Sequence, residues 1–349
     1  MILRHRSKAL LAVLALFAAV LTLVAAGCGG GDTASGDTSG GGGDSTLTLV
    51  GYTTPREVYE EVIPAFQATP AGEGIDFEQS YGPSGDQSRA VEAGLDADVL
   101  ALSLAPDIDR LVEPGIVDAN WAQGPTKGFV SNSVVVFAVR KGNPKHIQTW
   151  DDLVKPGVEV ITPNPFTSGG AQWNIGAAYG AQLEQGKTKQ QALEYIQKLF
   201  ENVPVQPKGA RESLQVFTAG KGDVLLAYEN EAVTAQQAGE DVDYVIPDQT
   251  ILIQNPIAVT TTSGNPAAAK AFVDYALSKP AQEVFAAKGY RSVLPEVAKA
   301  NASTYPDPPG LFTIEKLGGW ESFRDEFFDP DEGVMADIFA GKGFSQEDE

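Results

Sequence analysis

From Ser45 onward short apolar runs alternate with helix-forming stretches, and this alternation narrows the fold more than any other feature of the chain. "STLTLVGY" (45–52), "IDFEQSYG" (75–82) and "ADVLALSL" (97–104) read as strands, with further strands expected at 133–140, 158–162, 223–228, 244–246 and 254–260. Helices are expected near 105–113, 170–185, 189–202, 211–219, 230–239, 266–278 and 280–288. Thr54, Pro55 and Glu57 fit a capping box that opens one more helix, which Pro64 kinks or shortens. Ser84 with Gln87 offers a second cap, for a short helix ended by Gly94. Strands and helices in this order predict an α/β protein whose sheets are mixed and mostly parallel. Its 349 residues suffice for one large domain or two lobes, each with a real core.

The first 45 residues have another character. Arg4, Arg6 and Lys8 precede the uncharged run "ALLAVLALFAAVLTLVAA" (9–26), and positive charge followed by an apolar stretch is the pattern of an export signal. "VAAGC" then resembles a bacterial lipobox, although Ala25 stands where leucine is usual. The expectation is a signal peptide over 1–27, lipidation at Cys28, and a Gly/Ser-rich tether over 28–45. An uncleaved membrane anchor is the plainer alternative.

Composition removes several kinds of chemistry. The chain has two histidines, His5 and His146, and one cysteine, Cys28, too few for a His-rich metal site or an internal disulfide. No Gly-x-Ser-x-Gly elbow is present. "GAQLEQGKT" (180–188) approaches a phosphate loop but is one residue too long and follows a helix where a strand is required. No enzyme, cofactor or metal is expected. Loss of the first 27 residues leaves 22 basic against 46 acidic residues, a formal −24. Such a surface disfavours nucleic acid and repels small anions at long range, so an anion site would have to work through local donors.

Four strand-to-helix joins offer such donors. "GYTTPRE" carries Thr53, "YGPSGDQ" carries Ser84, "FTSGGAQ" carries Ser168, Gly169 and Gly170, and "PKGARES" carries Ala210. A helix start leaves up to four N–H groups unpaired and bears partial positive charge, and glycine allows a close approach to them. Taken singly, each serine or threonine reads first as a helix cap, and each glycine pair as a tight turn. Local pattern does not place the four joins together in space.

"TPREVYEEV", "GPSGDQSRAV", "RKGNPKHIQTWDDLVKPGVEVITPNPFTSGGAQWN" and "GARESLQVFTAGKGDVLLAYENEA" resemble the periplasmic sulfate-binding proteins of ABC transporters and their thiosulfate-binding relatives. The resemblance runs from about Tyr52 to about Ile338. It implies a two-lobed periplasmic-binding-protein fold of type II, with a first lobe over 46–132 and 251–345, a second over 133–250, and a hinge between them. It further implies a dehydrated dianion bound by the hydroxyls of Ser84 and Ser168 and the N–H groups of Thr53, Gly169, Gly170 and Ala210. Tyr228 stands where sulfate binders of the family carry a tryptophan, and this loosens the expected preference for sulfate over thiosulfate. Arg211 is expected to brace its loop by pairing with an acid, and Glu229 and Glu231 to be structural.

A donor-only pocket suits sulfate, which only accepts hydrogen bonds, and rejects hydrogen phosphate, whose proton would lack an acceptor. The implied function is a monomeric lipoprotein. It sits on the outer face of the cytoplasmic membrane, or in a periplasm, and feeds the permease and ATPase of an importer. Another tetrahedral oxyanion (molybdate or phosphate) and a membrane-tethered anion sensor are the alternatives.

Overall fold

The computed structural model describes residues 46–346; the signal segment, Cys28 and the tether lie outside the described residues. The chain runs β1 (Thr46–Tyr52), α1 (Arg56–Gln67), β2 (Asp76–Gly82), α2 (Ser84–Glu92), β3 (Val99–Ala101), α3 (Ala105–Asp109) and the long β4 (Phe129–Arg140). Next come β5 (Val160–Ile161), α4 (Gly169–Glu184), α5 (Lys189–Glu201), α6 (Ala210–Thr218), β6 (Val224–Tyr228), α7 (Glu229–Gln237) and β7 (Val242–Val245). The long β8 (Gln249–Val259) leads to α8 (Pro266–Ala276), α9 (Lys279–Ala287), α10 (Pro295–Ala300), β9 (Gly310–Phe312), α11 (Gly319–Phe328) and α12 (Val334–Lys342).

The sheet order is β2-β1-β3-β8-β4-β6-β5, with β7 beside β4 and β9 beside β8. Strands linked by a helical crossover pair in parallel: β1 with β2, β1 with β3, and β5 with β6. The two long strands pair antiparallel with each other, Val134 opposite Leu252 and Ser133 opposite Ile253. Beyond that crossing they part. The end of β8 joins β3, Val99 opposite Val259, while the end of β4 joins β6, Val135 opposite Tyr228. The α/β architecture is therefore two-lobed, with β4 and β8 running from one lobe into the other.

Each lobe has its own apolar cluster. In the first, Leu47 and Leu49 of β1 meet Tyr59, Val62 and Phe66 of α1 and Phe272 and Phe285 of α8 and α9. Residues 58, 59, 62, 63 and 66 bury one stripe of α1, and each such side chain contributes about 1.5–3 kcal/mol. Pro64 does not end this helix, which runs on to Gln67. Pro64 and Glu60 are exposed, so water can satisfy the carbonyl whose helical bond the proline removes. In the second lobe Phe137, Trp150, Trp173 and Phe200 pack together. The C-terminal segment, placed with the first lobe on the sequence, packs here instead: Phe312, Phe323, Phe327, Met335 and Phe339 all belong to this second cluster. They cover α4 and α5, whose inward faces are too apolar to be left to solvent.

Candidate functional site

Four helices begin at the cleft between the lobes, and none of them has a side-chain cap. Both capping boxes expected from the sequence are absent. α1 starts after Pro55, and Thr54 Oγ1 has no partner among the described residues. α2 starts at Ser84 itself, after Pro83, so its hydroxyl occupies the first helical position rather than the cap. The physical reason in both cases is the proline, whose fixed φ favours the helix border and displaces the cap residue. At α4 the cap position is Ser168 and at α6 it is Gly209, again without a side-chain cap bond. Gly169 and Gly170, and Ala210, therefore present first-turn N–H groups that no intrahelical carbonyl can reach.

The four starts meet. Gly85 N–H donates to Thr167 O at 3.2 Å, joining α2 to the turn before α4. Thr167 Oγ1 donates to Lys208 O at 2.6 Å, joining that turn to the one before α6. Arg211, on α6, pairs with Glu57 of α1 at 2.5 Å, and its Nη2 lies 3.4 Å from Thr53 O. Lys208 Nζ lies 3.2 Å from Asp86 at the start of α2. A Cβ added to Gly170 would stand 3.5 Å from Ser168 Oγ, 3.7 Å from Tyr228 Cε1 and 3.8 Å from Ala210 Cβ. Thr53, Ser84, Ser168 and Tyr228 are all buried. The small pocket beside Gly170 and Ala210 is lined by Pro163, Asn174, Tyr228 and Glu231 among others, and no lysine or arginine lines it.

Two residues behave differently from the sequence expectation. Ser84 Oγ donates its one proton to Asp107 Oδ2 at 2.6 Å and accepts from Ser103 N–H at 2.9 Å, so in this arrangement it has no proton left for the cleft. Asp107 is buried, and that burial raises its pKa against the hydrogen bond from Ser84, which lowers it. Protonation of Asp107 would reverse the bond and release the Ser84 proton. Glu231, expected to be structural, accepts from Tyr228 N–H at 3.1 Å and also lines the pocket, so the lining is not made of donors alone as the sequence had implied. Burial pushes its carboxyl up to about 7, against the Tyr228 N–H and Arg211, which pull it down. Burial likewise pushes the Tyr228 phenol well above its usual range and keeps it a neutral donor.

Ser103 escaped the sequence reading. It follows β3, is 1% exposed, and its Oγ lies 2.6 Å from Tyr228 Oη. Its carbonyl accepts from Trp173 Nε1 at 3.0 Å and from Asn255 Nδ2 at 3.1 Å. The signal was available, since "LSLAPD" is a fifth strand-to-helix join with a hydroxyl.

Two lobes crossed by paired strands, with helix starts converging on the cleft, define a solute-binding protein of the type II fold. The bacterial extracellular solute-binding protein family matches residues 47–291. A "Sulfate-binding protein" of Synechococcus elongatus is 44% identical over 321 residues, 89% of this chain and 90% of that protein. A "Thiosulfate-binding protein" of Pseudomonas aeruginosa is 36% identical, over 84% of this chain and 92% of that protein. The solved structure of the sulfate-binding protein SubI from Mycobacterium tuberculosis matches with a TM-score of 0.80 and 46% identity, over 81% of this chain and 99% of that one. This chain belongs to the bacterial extracellular solute-binding protein family and is similar over most of its length to members named for sulfate and thiosulfate.

Proposed function

We propose that this protein captures sulfate or thiosulfate between its lobes and delivers it to the permease and ATPase of an ABC importer. One observation carries the reading: the uncapped starts of α1 and α2 are tied across the cleft to those of α4 and α6, beside a pocket of the second lobe lined by Gly170, Ala210 and Tyr228 and, among the described residues, by no cationic side chain. Helix-start N–H groups from both lobes suit a fully ionised guest that only accepts hydrogen bonds. The ligands in the relatives' names agree with that chemistry, and those relatives are named as binding proteins.

In this reading Gly169, Gly170, Ala210 and Thr53 give N–H groups, Ser168 and Tyr228 give hydroxyls, and Ser84 joins them once Asp107 is protonated. Arg211 braces the site from behind through Glu57. The guest bridges the lobes and favours the closed form, which then docks on the permease. The hinge falls where β4 and β8 part, near residues 133 and 251. Cys28, lipidated after removal of residues 1–27, tethers the monomer to the outer face of the membrane through the flexible 28–45 segment.

Titration calorimetry on residues 45–349 with sulfate, thiosulfate, molybdate and phosphate tests the proposal. Sulfate and thiosulfate bind, and phosphate at pH 7 does not. Tight phosphate binding with no response to sulfate would overturn it.

A further inference from the structure

We infer that Ser103 is a specificity-determining residue, and that with Tyr228 it forms one composite donor that sets the preference between sulfate and thiosulfate. The inference rests on the proposed function and names a determinant within the same cleft. Ser103 leaves the end of β3 in the first lobe, whereas Tyr228 ends β6 in the second. Their 2.6 Å hydroxyl contact therefore crosses the cleft.

Ser103 is held from every side. Its N–H is bound by Ser84 Oγ, its carbonyl by Trp173 and Asn255, and its Oγ by Tyr228. Gly169 permits this position, because a Cβ there would stand 2.9 Å from both Ser103 Cβ and Ser103 Oγ. Ser103 thus touches three residues of the donor set, Ser84, Gly169 and Tyr228, and its hydroxyl cannot wander.

Proton counting gives the consequence. Two hydroxyls carry two protons, and one of these lies in the bond between them. Tyr228 lines the pocket and Ser103 does not, so Ser103 donates to Tyr228 and the single proton left for a guest is the phenol's, delivered from a fixed point. An oxygen of sulfate accepts it well. The larger, weakly accepting sulfur of thiosulfate does not, so the fixed pair requires oxygen at that corner of the guest. Without the serine hydroxyl the phenol keeps only the Asn255 side chain beside it, its proton is no longer aimed from one point, and the requirement relaxes.

The test is a double-mutant cycle of Ser103→Ala and Tyr228→Phe, with sulfate and thiosulfate affinities measured by calorimetry and folding by thermal melts. Ser103→Ala weakens sulfate binding about tenfold, the scale of one buried hydrogen bond, and thiosulfate binding about threefold or less. On the Tyr228→Phe background Ser103→Ala changes neither. A loss of packing alone would weaken both ligands equally on both backgrounds, and that result overturns the assignment. An unchanged sulfate-to-thiosulfate ratio in Ser103→Ala also overturns it and leaves the proposed function standing. Wild-type protein that binds neither anion overturns both. If Ser103→Ala does not fold, Tyr228→Phe alone must lower the ratio, and an unaltered ratio refutes the pair.

Discussion

Burial holds the Glu231 carboxyl near 7 when its ordinary value is 4.5, and this has a definite sign for stability. Below pH 4.5 the group is protonated in both folded and unfolded chains and contributes no pH dependence. Between 4.5 and 7 the unfolded chain ionises while the folded one holds its proton, so stability falls as pH rises, by at most about 1.4 kcal/mol per unit. Above 7 the loss levels off. Glu231→Gln keeps an acceptor for Tyr228 N–H and removes this slope. Urea midpoints at pH 5, 6, 7 and 8 will fall less steeply for the variant between 5 and 7, and parallel curves would contradict the burial argument. The sequence placed Glu231 in a structural role, which its bond to Tyr228 N–H fits; its wall of the pocket depends on how β6 and α7 sit against α4 and α6, and no spacing encodes that.

At the scale of elements, the cleft depends on helices that begin without caps. A cap residue normally adds about 1 kcal/mol, so several uncapped starts at one place leave their donors to a guest instead. Gly170 is the most exacting position, because its missing side chain keeps the space between Ser168, Tyr228 and Ala210 open. A Cβ at Gly170 has only side-chain atoms as its nearest neighbours, so Gly170→Val fills that space and will reduce sulfate affinity at least a hundredfold while the melting temperature moves by only a few degrees. Calorimetry beside a thermal melt checks both parts. The strands and helices through α9 were legible in the sequence to within a few residues, because their apolar periods are strong. Short elements after Tyr290, including α10, β9, α11 and α12, were not. The aromatic faces of β9, α11 and α12 have meaning only against the surfaces of α4 and α5 that they cover, and α10, a six-residue helix without an aromatic, packs on α9.

Across the whole molecule, the contacts between lobes describe a closed cleft. Tyr228 reaches Ser103, Arg211 reaches Glu57, Lys208 reaches Asp86, and Gly85 N–H reaches Thr167 O. Two of these are exposed or partly exposed ion pairs worth about 0–1 kcal/mol each and two are hydrogen bonds worth about 0.5–1.5 kcal/mol each, a small sum against the opening of two lobes without a guest. Sulfate should therefore compact the protein in solution. Small-angle scattering will show a smaller radius of gyration with saturating sulfate than without it, and an unchanged radius would mean that the cleft does not open and close.

The sequence alone determined the α/β class, the order of the elements through α9 and the local chemistry of the helix starts. Each of these follows from residues within a turn or two of one another, where periodicity, glycine and proline act directly. Only the tertiary structure decided that four such starts meet, that Ser84 spends its proton on Asp107, and that Ser103 lies against Tyr228. Those facts join residues as far as 158 positions apart, and they depend on how two separately packed cores lean together across β4 and β8.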